Sequence, residues 1–206
     1  MDKRTLILSA AEKLFGEKGF EGTTVRDIAH SAGVNLAMIS YYFGSKEKLF
    51  EALVEYRSGY TTGVLEELAQ DEHLEPMQKM YKLIDFYVER ILSNFQFHNI
   101  ISRQFSTLQS TDLKEALMRM KAKNLEQIEK IMADGQKKGV FRKVDLELTL
   151  ASIIGTISQL TLSKEWYCRI LGILSPDPND FSPELVTRLK NHLKDMVTAH
   201  LRVPQS

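Results

Sequence analysis

The stretch Val25-Arg26-Asp27-Ile28-Ala29-His30-Ser31-Ala32-Gly33-Val34-Asn35-Leu36-Ala37-Met38-Ile39-Ser40-Tyr41-Tyr42-Phe43-Gly44 decides how the first part of this chain folds. Counting from Val25, the fifth position is Ala29, small enough for two helices to cross closely. The ninth is Gly33, which can take the positive φ that a tight inter-helix turn demands. Ile28, Val34 and Ile39 supply apolar contacts at the fourth, tenth and fifteenth positions, binding the two helices to each other and to a preceding one. Thr24 stands at the N-cap of the first helix, with Asp27 three residues on to complete a capping box, and Asn35 caps the second. This is the pattern of two short helices around a glycine turn, the second turning Leu36, Ala37, Ser40 and Tyr41 outward.

Working outward, Leu6, Ala10 and Leu14, and likewise Ala11 and Phe15, fall at steps of four on one helix face that Gly19 terminates. On the other side Gly44-Ser45 interrupts the chain, and Ser45 caps a helix running from Lys46 to about Leu68. Residues 1–50 are therefore expected to form a three-helix module, with the helix-turn-helix at about 24–43, and residues 51–206 a larger helical domain. In that second part Pro76 opens a helix whose Met80, Ile84, Tyr87, Val88 and Ile91 form one stripe. An apolar piece spans Ile100–Leu108, Thr111 starts a helix ending near Lys137-Lys138-Gly139, Asp145 starts one from Leu146 to about Leu174, and Ser182-Pro183 starts the last, to Leu201. No segment alternates like a strand, so the expected fold class is all-α, with about nine helices.

The run Thr23 to Phe50, together with Ala10-Ala11-Glu12-Lys13-Leu14-Phe15-Gly16-Glu17-Lys18-Gly19-Phe20, resembles the DNA-binding segment of TetR-family transcriptional regulators over nearly all of the first fifty residues. Gly139-Val140-Phe141-Arg142 before a long apolar helix resembles the family only loosely. The resemblance implies that Thr24 and Lys46 grip phosphate, where a helix N-terminus and an ammonium both favour an anion. It implies that Arg26 reaches a base edge, as arginine can bidentately at guanine. Asn35, Leu36, Ala37, Met38 and Ser40 would face bases, with Tyr41 and Tyr42 aimed at the sugar-phosphate backbone. Ser40 stands where the family often has tyrosine, and Tyr42 where many members have histidine.

The remaining residues are expected to dimerise, sense or both. Ile153, Ile157 and Leu160, and Leu185, Leu189, Leu193 and Met196, recur at three- and four-residue steps on the last two helices. From spacing alone such stripes suit either a subunit interface or an intrachain core. The resemblance implies the former, a four-helix interface across a two-fold axis in a homodimer. The recognition helices would then meet successive major grooves about 34 Å apart on a near-palindromic operator in double-stranded DNA. The middle helices are rich in Met and aromatic residues, and the resemblance implies an apolar effector pocket among them. Phe86, Tyr87, His98, Phe105 and Trp166 are the candidate lining residues for a small-molecule effector. The expected function is a DNA-binding transcriptional regulator, a repressor released from its operator by that effector. The alternative is a TetR-like DNA-binding or architectural protein acting through a protein partner without a small ligand.

Composition bounds the rest. A chain of 206 residues buries about 70% of the surface its unfolded form exposes, and with the single Cys168 it forms no intrachain disulfide. Charge interrupts the apolar residues of the first helix before a signal-peptide core forms, and no stretch approaches a membrane span, so a cytoplasmic location with no membrane partner is expected. Phosphate-loop, HExxH, GxSxG and GxGxxG patterns are missing, and His30, His73, His98, His192 and His200 lack metal-ligand spacing; no enzyme, cofactor or metal is expected. Net charge is zero, 27 basic against 27 acidic side chains, and residues 1–57 are balanced at eight against eight. Attraction to an anion must then come from Arg26, Lys46 and helix N-termini rather than from bulk charge.

Overall fold

The computed structural model describes residues 2–95, 97–99, 101, 111–173 and 180–203. Most of the expected apolar piece at 100–108 and of the proline-rich loop at 175–180 lies outside them. The named helices are α1 (Lys3–Lys18), α2 (Val25–Ser31), α3 (Leu36–Phe43), α4 (Lys46–Gln70), α5 (Pro76–Ser93), α6 (Thr111–Lys137), α7 (Leu146–Leu162), α8 (Lys164–Leu171) and α9 (Pro183–Leu201). Among the described residues strand-like pairing is confined to one isolated bridge, Phe141 to Arg202, so the fold is all-α as the sequence pattern requires.

The chain divides into two compact units, each of which draws on two stretches of sequence: residues 1–61 with 96–122, and residues 62–95 with 123–206. In the first unit Ile7, Leu8, Phe15, Ile28, Ile39, Leu49, Leu53 and, from α6, Leu117 form one buried cluster. Phe15, Phe20 and Phe50 pack mutually with ring centroids 5.2–5.4 Å apart, joining α1, the loop after it and α4. Glu12, which the α1 pattern puts off the apolar face, is nevertheless buried: α4 covers it and Arg57 pairs with its carboxylate.

In the second unit α5 packs against both α7 and α9. Polar cross-links fix the α5–α9 seam: Lys194 Nζ donates to Asp85 at 2.7 Å, Lys190 pairs with Glu89, and the Tyr81 and Thr198 hydroxyls bond at 2.6 Å. This packing bears on the residues expected at a dimer interface. Ile153, Ile157, Leu160, Leu185, Leu189 and Leu193 are buried within the single chain, and Met196 packs against the same core. A period of 3.6 identifies which face of a helix is apolar but not what covers it; here the cover is α5.

The helix expected from Leu146 to about Leu174 is corrected. It breaks at Ser163, and α7 and α8 meet at 93°. At the break Thr161 Oγ1 donates to Ser158 O at 2.8 Å, competing for a helical carbonyl, and Ser163 Oγ accepts from the Gln159 side-chain amide. α8 then ends in a left-handed Gly172, with Ile173 N–H donating to Cys168 O. No single helix among the described residues is long and apolar enough to cross a membrane.

Candidate nucleic-acid interface

The site is built by two caps and one turn. Thr24 Oγ1 accepts from Asp27 N–H at 3.1 Å while Asp27 Oδ2 accepts from both the Thr24 N–H (3.1 Å) and its hydroxyl (2.8 Å), a complete capping box. These bonds from Thr24 hold the Asp27 carboxyl below its ordinary value. At the other end of α2, Gly33 takes φ 64°, Gly33 N–H donates to His30 O and Val34 N–H to Ala29 O. That pair of bonds is a Schellman motif, and it needs a residue free to enter the left-handed region. Asn35 Oδ1 accepts from Ala37 N–H at 2.9 Å to start α3. Ile28 and Ile39 are fully covered and Ala29 nearly so, so α3 is anchored along one side only.

The other side of α3 is bare. Leu36, Ala37, Ser40 and Tyr41 are exposed, Tyr41 at 82%, its ring edge-on to Tyr42 at 5.2 Å. Thr24, Arg26 and Asn35 are exposed beside them. Met38 and Tyr42, expected to face DNA, are half-buried against the core of the unit, so each divides its surface between packing and solvent. Asn35 has its side-chain oxygen committed to the cap, and its amide nitrogen alone can reach outward. Lys46 does not point away from the unit: its Nζ donates to Phe20 O at 3.0 Å and Thr23 O at 3.3 Å and lies 4.3 Å from the Phe20 ring centroid.

Two residues without a local sequence cue belong to this region. Thr23 is fully buried, its hydroxyl within reach of Leu14 O at 3.0 Å and Gly19 O at 2.8 Å, which fixes the loop feeding α2. Arg4 brings its guanidinium over the Phe43 ring, 5.6 Å from the centroid, at the end of α3. A buried polar pairing of Thr23 was legible only from the loop's need for donors, and Arg4 only from the tertiary fold.

Four of the five candidate pocket residues lie among the described residues. Phe86 and Tyr87, on α5, are half-buried in the second unit with ring centroids 5.7 Å apart. Burial pushes the Tyr87 phenol up to about 12, against a smaller opposing pull from Arg90. Trp166 is in the same unit but 58% exposed, so in the single chain it lies on the surface of α8 rather than around a cavity. His98 belongs to the first unit, and Phe105 lies outside the described residues. No group of three His, Cys, Asp or Glu side chains among the described residues is placed to hold a metal ion.

An exposed recognition helix on a Schellman turn points to a helix-turn-helix regulator, and the family models decide which kind. Residues 7–53 match the model of bacterial regulatory proteins of the TetR family, and residues 73–177 match the tetracyclin repressor-like C-terminal domain, about half the chain by itself. The chain belongs to the TetR family. It is 29% identical over 180 residues to the probable HTH-type transcriptional regulator YttP of Bacillus subtilis, covering 84% of this chain and 83% of that one. It is 31% identical over 147 residues to the HTH-type transcriptional repressor NicS of Pseudomonas putida, covering 68% and 66%. The solved structure of the TetR family regulator PfmR from Thermus thermophilus superposes with a TM-score of 0.73 at 21% identity, covering 96% of this chain and 99% of that one, which shows the shared fold. As a TetR family member the chain is a DNA-binding transcriptional regulator, of a family whose members bind operators and dimerise.

Proposed function

We propose that this TetR family protein is a cytoplasmic repressor that binds a near-palindromic operator as a homodimer and leaves it when a small effector binds. The observation that carries the reading is the bare outer face of α3, where Leu36, Ala37, Ser40 and Tyr41 stand exposed on a helix anchored by Ile39 and the Gly33 turn. In this reading α3 lies in the major groove with Leu36, Ala37 and Ser40 against base edges, assisted by Asn35 and Met38. Arg26 contacts a base from α2. Thr24, Tyr41 and Tyr42 contact the sugar-phosphate backbone. Effector and DNA then weaken each other's binding by the same factor, because linkage is reciprocal.

The dimer surface we assign to the faces of α7 and α9 opposite the buried stripes. On α7 these are Leu148 (66% exposed) and Leu162 (50%), bracketing Ala151, Ser152 and Gly155. The small side chains permit close helix approach, and the bracketing leucines supply apolar area that a monomer would leave wet. Glu184, Arg188 and Asp195 form the corresponding outer face of α9.

Substitution separates the DNA roles. Tyr41→Ala is expected to weaken binding to all duplexes alike, while Arg26→Ala costs about 1–3 kcal/mol at one base pair and flattens preference there. Binding isotherms on a panel of single-base variants of a selected duplex read both. Unchanged affinity and unchanged preference in the two variants would remove the assignment.

A further inference from the structure

Lys46 is the first residue of α4, where its positive charge meets the positive end of the helix dipole. The amides there already have anionic and polar partners: the Glu47 carboxyl is held below its ordinary value by its own backbone N–H and by Ser45, and Ser45 Oγ accepts from Lys48 N–H at 3.2 Å. Lys46 instead folds back on the loop between α1 and α2. An ammonium has three N–H groups. Two donate to Phe20 O and Thr23 O, and the charge sits over the Phe20 face at 4.3 Å, a cation–π distance. Phe20 is itself wedged between Phe15 and Phe50. Thr23, whose carbonyl Lys46 holds, immediately precedes the α2 N-cap, and its hydroxyl is spent on Leu14 and Gly19 carbonyls.

We infer that Lys46 is a positioning residue rather than a phosphate contact: it clamps the Phe20–Thr23 loop to the start of α4 and so sets the attitude of α2 and its Arg26 toward DNA. The inference rests on the reading of the first unit as the DNA-binding one. It departs from the phosphate role that the family resemblance implies for this position. A clamp of this kind acts without releasing a counterion from DNA, and that difference is measurable.

The test uses the full chain and a duplex that the unaltered protein selects from a random pool, with affinity measured across a salt series at a temperature where circular dichroism shows each variant folded. Lys46→Met is expected to lose roughly tenfold in affinity, the scale of a charge-assisted bond, with the slope of log affinity against log salt unchanged. A direct phosphate contact would instead lower the slope by about 0.9 for each lysine, close to two for a dimer. In a double-mutant cycle, Arg26→Ala added to Lys46→Met is expected to cost far less than it does alone, since a misplaced α2 has already lost that contact; a merely destabilising substitution gives additive losses. Phe20→Leu, which removes the ring but keeps the ammonium, is expected to weaken binding several-fold in the same slope-neutral way. A slope reduced by about two, additive losses in the cycle, or equal or tighter binding by Phe20→Leu would each overturn the clamp while leaving the DNA-binding reading intact. Failure of the unaltered protein to select any duplex would instead defeat the DNA-binding reading on which the clamp rests.

Discussion

At the scale of single residues, the chain uses the same side-chain types for opposite ends. Tyr41 is out in solvent at the end of the recognition helix, while Tyr87 packs against the core of the second unit, and their chemistry should differ accordingly. Burial raises the Tyr87 phenol from 10 to about 12, so the neutral form is favoured in the folded state. The sign follows from linkage. The stability that depends on a neutral Tyr87 is fully present below pH 10, and declines from there to about pH 12 as the unfolded chain ionises first. Urea denaturation from pH 9 to 12 should show this decline, and Tyr87→Phe should flatten it; an equal decline in Tyr87→Phe would assign it to other groups. The polar side chains follow the same rule of local commitment. Asn35 and Asp27 cap helices, the Thr23 hydroxyl has its one proton within reach of the Leu14 and Gly19 carbonyls, and the buried Glu12 is met by Arg57.

At the scale of elements, the helix faces carry the strongest prediction. Leu189→Ala should destabilise the chain by about 2–5 kcal/mol, because it opens a cavity between α9 and α5. Leu148→Glu should leave monomer stability within about 0.5 kcal/mol and dissociate the dimer, because it charges a face left exposed among the described residues. Denaturation curves with sedimentation velocity read the two effects separately, and a stable, dimeric Leu148→Glu protein would contradict the assigned surface. How much of this was legible follows from what each signal measures. The two caps, the Gly33 turn and the anchoring role of Ile28 and Ile39 depend on residues within a few positions of one another, and all were readable from the stretch 24–44. The orientation of the α7 and α9 stripes was not, since periodicity marks an apolar face without naming its partner. The break at Ser163 was missed for a similar reason: Leu146–Leu174 has continuous helical periodicity, and the competition of the Thr161 hydroxyl for Ser158 O is a local effect that periodicity averages away. Lys46 was readable as a cation at a helix start, but its partners lie 23 and 26 residues earlier in the chain.

At the scale of the whole molecule, zero net charge changes what DNA binding must look like. A neutral protein with a neutral first 57 residues has no bulk field to concentrate it on DNA, so nonspecific affinity should be modest and recognition must come from a few placed contacts repeated by symmetry. That places the weight of the account on the dimer and on α3 together: one recognition helix offers too few contacts, and two offer them only at a fixed spacing. The direct measurement is selection of duplexes from a random pool by the unaltered protein, followed by sequencing of the bound fraction. The account predicts an enriched near-palindrome whose half-sites lie about one helical turn, roughly 34 Å, apart or a multiple of it, lost when the outer face of α3 is charged by Ala37→Glu. Enrichment of sequences without two-fold symmetry, or equal enrichment by the Ala37→Glu protein, would contradict it.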